Sequence, residues 1–338
     1  MKIATYTIAL NESKHVERWL EATKNSDVRL VADTGSTDGT LEMLAAAGVI
    51  VHRVTVFPFR FDDARNAALA LLPDDVDLCL SLDLDETTAP DLYDKLRALD
   101  STIHKARIWH NTGNRWRCDR VHSRKGWRWV APCHEVTTWF GDGEPVVVDI
   151  NADIYHLPDE SKPRTGYLPL LEMAVRERPT DGRMWTYLAR EYMYAGDTEG
   201  LLHAGEEAYF RNPWNPERAA VCRWIGTAKE DREWLHRATN ACNREAENWH
   251  ALAEHHYRKG EWDLCIDAAG VGISCEPTTH YLRDESVLAW RLFDLLAIAQ
   301  WNRGKYEDAL HWGLKALAGN PDDERLQKNV AEYRGKCD

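Results

Sequence analysis

The chain has 338 residues, 44% of them hydrophobic and 29% charged, a globular composition with room for about two domains. Its 42 basic and 55 acidic residues leave a net charge of −13, which argues against non-specific nucleic-acid or membrane binding. No run nears the ~18 apolar residues of a membrane span. The amino-terminal MKIATYTIALNESKHVERW turns polar too early for a secretory signal, and the eight scattered cysteines include no CxxC. The expectation is a soluble, cytoplasmic protein with reduced thiols.

Residues 1–100 alternate short β-type runs with helical patterns. Strands are expected at Lys2–Leu10, Val28–Ala32, Val49–Val54 and Leu78–Leu82, and helices at Ser13–Thr23, Thr40–Ala47 and Asp62–Leu72. This alternation implies βαβ units and a parallel sheet, with ligands beyond the carboxyl ends of its strands. Polar clusters fall there: Asn11-Glu12-Ser13, Asp33, and Asp83-Leu84-Asp85. Further strands are expected at Lys105–His110, Trp127–Val130, Glu135–Trp139 and Val146–Ile150. Beyond Pro158, Pro163 and Pro169 the chain reads as helix.

The helical half carries an internal repeat. Trp185, Trp249 and Phe293 each stand 11 residues before a glycine (Gly196, Gly260, Gly304), and each glycine 17 before a proline (Pro213, Pro277, Pro321). Leu188-Ala189, Leu252-Ala253 and Leu296-Ala297 lie between them, with small residues at Ala208, Gly272 and Ala316. The pattern resembles the tetratricopeptide repeat of paired helices, and a degenerate pair is expected around Cys222–Glu247. Repeats of this kind stack into a solenoid and present surfaces; chemistry is expected in the first half.

Asp83-Leu84-Asp85-Glu86 closes an apolar strand, and hard carboxylate oxygens at its end suit Mg²⁺ or Mn²⁺. Asp33-Thr34-Gly35-Ser36-Thr37-Asp38-Gly39-Thr40 reads both as a capped turn and as a nucleotide-facing loop. Arg65, in FDDARNAAL, is a natural phosphate partner; taken alone, it reads as a surface ion pair with Asp62.

The ordered segments Ala9-Leu10-Asn11-Glu12-Ser13, DTGSTDGT, FDDARNAAL and LDLDE resemble the family-2 glycosyltransferases of the GT-A fold over about residues 1–160. The resemblance implies an α/β, Rossmann-like GT-A domain over 1–160, with a mixed, mainly parallel sheet. An all-α tetratricopeptide-like domain would follow over 161–338. It implies a metal-dependent, inverting transfer of a sugar from a nucleotide-sugar, UDP-linked in this reading. Leu10, Asn11, Glu12 and Asp33 would hold base and ribose, Arg65 the diphosphate, Asp83 the ribose or metal, and Asp85 the metal. His156 would complete a Mn²⁺ or Mg²⁺ site, and Glu135 would be the catalytic base, with Asp119 and Asp142 in reserve. The Glu-Asp pair often used by relatives is absent.

Lys105, Arg107, Arg115, Arg117, Arg120, Arg124, Lys125 and Arg128 face one acid, Asp119, within 105–129, with Trp109, Trp116, Trp127 and Trp129 interleaved. Three readings stand: a surface for a nucleic acid carrying a hydroxylated base; a surface for a phosphate-bearing glycan or lipid-linked acceptor; or contact of one or two arginines with the donor diphosphate, the rest being a solvated face, while the repeats support a protein or peptide acceptor as well. The repeats would mediate protein contacts or oligomerisation. The alternative function is a non-catalytic repeat scaffold built on a decayed transferase fold.

Overall fold

The computed structural model describes residues 1–113, 115–157 and 166–337. Two compact units, Met1–Ala174 and Val175–Asp338, divide the chain. The boundary expected between 160 and 161, with Pro158 and Pro163, lies outside the described residues.

In the first unit β1 (Ile3–Ala9), β2 (Val28–Asp33), β3 (Ile50–Arg53) and β4 (Leu78–Ser81) alternate with α1 (Val16–Ala22), α2 (Thr40–Ala46) and α3 (Phe61–Ala70). After them come β5 (Glu86–Thr88), α4 (Leu92–Arg97), β6 (Lys105–Asn111), β7 (Arg115–Ser123) and β10 (Val147–His156). A hairpin of β8 (Trp127–Val130) and β9 (Val136–Trp139) forms a separate two-stranded sheet. The main sheet has eight strands in the order β3-β2-β1-β4-β7-β6-β10-β5. It is mixed: β3, β2, β1 and β4 pair in parallel, β4 with β7 and β7 with β6 antiparallel, β6 with β10 parallel, and β10 with β5 antiparallel.

β1 is buried along nearly its whole length, as a strand covered on both faces must be. Ile3 packs in one core with Val16, Trp19, Leu44, Leu92 and Leu96; Ala4 and Tyr6 pack in another with Ala68, Leu69, Leu72 and Trp129. The period-2 alternation of the strand thus assigns α1, α2 and α4 to one face, and α3 with the hairpin to the other. The Trp19 indole donates to the Leu82 carbonyl at 3.0 Å, and the Trp129 indole to the Tyr6 hydroxyl at 2.7 Å.

Four elements of this unit depart from expectation. β5 and α4 were not anticipated, and the basic run around 115–123 is β7, a strand between β4 and β6 and no surface loop. β10 continues to His156, well past Ile150.

α5 (Tyr167–Glu177) precedes the repeats, in which helices alternate in pairs: α6 (Gly182–Ala195) with α7 (Thr198–Arg211), α8 (Asn215–Lys229) with α9 (Arg232–Ala241), α10 (Ala246–Lys259) with α11 (Trp262–Gly272), and α12 (Leu292–Asn302) with α13 (Tyr306–Gly319). A final helix, α14 (Glu324–Cys337), follows, and a π-helical turn (Val287–Arg291) leads into α12. Leu188-Ala189, Leu252-Ala253 and Leu296-Ala297 are all buried. Gly196, Gly260 and Gly304 follow the first helix of their pairs with φ near +70°, left-handed caps that release the chain into the second helix. The degenerate pair starts earlier than expected, at Asn215, and puts Glu230 (φ 51°) where the others have glycine. A Cβ on Gly182 would run into the backbone of Asn212, so close approach demands glycine there as well. Among the described residues no helix is long and apolar enough to cross a membrane.

Candidate functional site

The singled-out residues of the first unit gather where β1, β2 and β4 end. Asp33 is fully buried, and its carboxylate accepts the amides of Gly35 and Ser36 at 3.1–3.2 Å. It stabilises its own turn and presents no face to a ligand. Asn11 is exposed but tied to the neighbouring loop: its amide donates to Ser36 Oγ at 2.9 Å and its Oδ1 accepts from the Thr37 amide at 2.8 Å. The Glu12 and Ser13 amides donate to Thr40 Oγ1 and Asp38 Oδ2, closing the two loops on each other. Leu10 is half exposed at the rim.

Arg65 stands at the junction. Its Nε donates to Glu135 Oε1 at 2.5 Å, and Nη1 and Nη2 donate to the two Asp83 oxygens at 2.8 and 3.0 Å. The surface partner offered by sequence, Asp62, is instead taken by Arg60 at 2.8 and 2.9 Å. Asp83 also accepts from Thr7 Oγ1 at 3.0 Å and Arg120 Nη2 at 3.3 Å. Burial pushes the Asp83 carboxyl up, but the Arg65 and Arg120 guanidiniums overcome it and hold the group far below the usual carboxylate range. Arg120 reaches on to Glu86 Oε1 at 3.2 Å, and the same oxygen pairs with His110 Nε2 at 3.0 Å.

Local backbone explains how Glu135 arrives there. Ala131 (φ 93°) and His134 (φ 50°) bracket the turn with left-handed conformations. The Pro132 carbonyl accepts the Phe61 amide at 2.8 Å, fastening that turn to the start of α3. Tyr167 stacks on His134 and on Phe61. Glu135 was expected opposite the metal-binding carboxylates; one guanidinium instead spans it and Asp83. Cys133 is buried beside it.

Asp85 and His156 meet: His156 Nε2 lies 3.1 Å from Asp85 Oδ2, and the Leu157 amide donates to the Asp85 carbonyl. The hydrogen bond that His156 donates to the Asp85 carboxylate raises the His156 pKa, against a downward push from burial. Of the residues expected to hold a divalent cation, Asp83 is bonded by two guanidiniums, which leaves Asp85 and His156 as the donors. Among the described residues no three carboxylate, imidazole or thiol groups converge on a metal position.

The basic segment is tied into the sheet. Lys105 bonds Asp119 at 3.1 Å and sits over the Trp127 ring, Arg107 grips Asp149, and Arg115 grips Asp153. Arg117 donates to the Ile150 carbonyl at 2.6 Å and Arg124 to that of Leu72 at 2.9 Å. Arg115 and Arg117 both lie over Trp109. Acids and carbonyls thus take up Lys105, Arg107, Arg115, Arg117, Arg120 and Arg124, while Lys125 and Arg128 are exposed. The reserve residue Asp119 serves Lys105, and Asp142 is placed near the hairpin. Glu86 and His110 belong to the charged junction and were missed. Glu86 stood next to the double aspartate, so its place in LDLDE was a usable signal; His110 had none.

No family model matches this chain, and no curated protein matches it. Solved structures do. The MamA protein is 15% identical, with TM-score 0.38 over 46% of this chain and 82% of its own. A thermophilic TPR protein of Thermus thermophilus is 21% identical, with TM-score 0.37 over 49% and 88%. PilW, described as a widely conserved type IV pilus biogenesis factor, is 13% identical, with TM-score 0.39 over 50% and 77%. These neighbours match about half of this chain, one of them is described as a TPR protein, and none is described as a glycosyltransferase. The expected membership of the family-2 glycosyltransferases is corrected accordingly, and with it the sugar-transfer activity and the assignment as an enzyme.

Proposed function

We propose that the chain is a non-catalytic repeat scaffold whose paired helices hold a peptide segment of a partner protein. One observation carries this reading: a recess of about 510 Å³ in the second unit, lined by Arg178, Arg183, Asn212, Trp214, Glu217 and Tyr281 among others. Its volume falls in the range of roughly 300–1,000 Å³ usual for ligand pockets. Trp, Tyr and Arg are also the side chains that most often anchor protein contacts. Trp214 is partly exposed and lies against the Tyr281 ring, with centroids 6.0 Å apart. Asn212 and Glu217 are buried at the floor.

In this reading the charges of the first unit are structural ties. Arg65 joins α3 to the end of β4 and to Glu135, while Asp85 and His156 join the β4–β5 turn to the end of β10.

The test is selection of peptides from a randomised displayed library on the full chain, followed by affinity measurement with Trp214→Ala. The enriched peptides should lose at least tenfold in affinity while the melting temperature stays put. A failure to enrich any sequence, or enriched peptides indifferent to Trp214→Ala, would overturn the reading.

A further inference from the structure

Linkers between consecutive helices from α6 to α11 run two to four residues, as is usual for packed helices, but residues 273–286 separate α11 from the π-helical turn before α12. This long segment lies across three buried glutamates at the starts of successive first helices: Glu217 in α8, Glu245 capping α10, and Glu247 in the first turn of α10. The Tyr281 hydroxyl donates to Glu217 Oε1 at 2.5 Å. His280 Nε2 bonds Glu245 Oε1 at 2.7 Å, and the Asp284 amide donates to Glu247 Oε1 at 2.8 Å. The Leu282 amide lies 3.3 Å from His280 Nδ1; Nδ1 is then the acceptor and Nε2 carries the proton. The Tyr281 ring also stacks on Tyr187 of α6, with centroids 6.0 Å apart.

The glutamates are held for this purpose by the repeats themselves. Asn212 donates to Glu217 Oε2, and Asn248 donates to Glu245 Oε2 at 3.3 Å. Each asparagine fixes one carboxylate oxygen and leaves the other facing the segment. Arg223, half-buried beside Glu245 and Glu247, offsets part of their charge. The result is a row of preset acceptor oxygens along neighbouring repeats, matched by side-chain and backbone donors from one extended stretch of chain.

We propose that this row is the track on which a partner peptide docks, and that residues 276–286 are a resident stand-in that the partner must displace. The partner is an extended segment offering neighbouring aromatic-hydroxyl and imidazole donors, the chemistry that Tyr281 and His280 supply now. The inference rests on the scaffold reading and names the site and ligand class within it. Because the segment is tethered at both ends, its local concentration is of millimolar order, so a free competitor is excluded until the strap lets go.

The probe is a synthetic peptide of residues 276–286, measured against the full natural chain and against a full chain whose 276–286 are replaced by a Gly/Ser linker of equal length. Binding to the replaced chain at least tenfold tighter than to the natural one is expected. That binding should be lost when the peptide carries Tyr281→Phe with His280→Ala. Equal binding to both chains, or none to a replaced chain that keeps its helical circular dichroism, would overturn the proposal. Should the replaced chain not fold, Tyr281→Phe in the full chain decides by hydrogen exchange. Amides of 280–284 should then exchange at least tenfold faster while those of α8 and α10 keep their protection; an equal loss in α8 and α10 makes the segment a structural pillar and overturns the proposal. Library peptides that bind the natural chain without speeding exchange at 280–284 would leave the scaffold reading standing and remove the strap. If no peptide binds either chain, both readings fall.

Discussion

Replacing Arg65 by leucine tests the charged junction. The guanidinium is 6% exposed and is the shared donor to Asp83 and Glu135. Leucine keeps an apolar stem against Trp129, whose ring centre lies 5.2 Å from the guanidinium, but strands two carboxylates. Breaking a buried ion pair from one side costs about 3–5 kcal/mol. Arg120 still reaches Asp83 at 3.3 Å, so the lower end, about 3 kcal/mol, is expected at pH 7. For a unit of this size that is roughly 6–12 °C of melting temperature.

The pH dependence separates charge from packing. With Arg65 present, the Asp83 carboxyl titrates below its unfolded value of about 3.9. Its stabilising contribution is therefore present above that pH and lost as pH falls through the folded value. The deficit of Arg65→Leu should be full from pH 7 down to about pH 4 and shrink only below that. Urea titrations followed by tryptophan fluorescence at about pH 7 and about pH 2.5 measure it. An equal deficit at both would show that the arginine acts by packing alone.

Other outcomes follow from particular residues. Gly304 has a left-handed φ of 72° with nothing within 4 Å of an added Cβ, so Gly304→Ala should cost about 1–2 kcal/mol from backbone strain alone. Glu230→Gly, at the matching cap of the degenerate pair, should raise the melting temperature relative to Glu230→Gln, which removes the charge facing Lys259 but keeps the strain; no difference between the two would refute the left-handed cap. His156 has a raised pKa through Asp85, so its stabilising effect is present below the ordinary histidine value and fades as pH rises through the raised one. Asp85→Asn should return the His156 titration toward the ordinary range, as followed by NMR; an unmoved titration would sink the assigned cause.

Much of the architecture was legible because periodicity records burial. IATYTIA announced a strand covered on both faces, and the Trp–Gly–Pro spacing announced the helix pairs. The charged elements were not legible. Arg115–Ser123 alternates cations with Trp116, Cys118 and Val121, and composition alone placed it on the surface. The partner of Arg115, Asp153, sits 38 residues further on, so the neutralisation exists only after β10 returns beside β6. The ordered motifs of the first half hold residues that come together, yet Asp33 bonds its own turn, Asn11 the neighbouring loop at Ser36 and Thr37, and Arg65 Asp83 and Glu135. Residue type shows which groups can bond; whether the partner is a ligand or the chain itself depends on tertiary geometry. The strap over Glu217 and Glu245 was hidden for the same reason: Tyr281 and His280 fall in a stretch without period.

The strand order has a kinetic corollary. β1 cannot complete the sheet until β4 arrives, with Ile3 paired to Leu78, and the indole of Trp129 reaches Tyr6 across 123 residues. The repeats, by contrast, are built from neighbouring helices joined by short turns. Local contacts form quickly and distant ones slowly, since closing a long loop must precede any reward from it. On refolding from urea, most helical ellipticity should therefore return before the fluorescence of buried Trp129 does, and the interval between the two signals would time the closure of β1 onto β4.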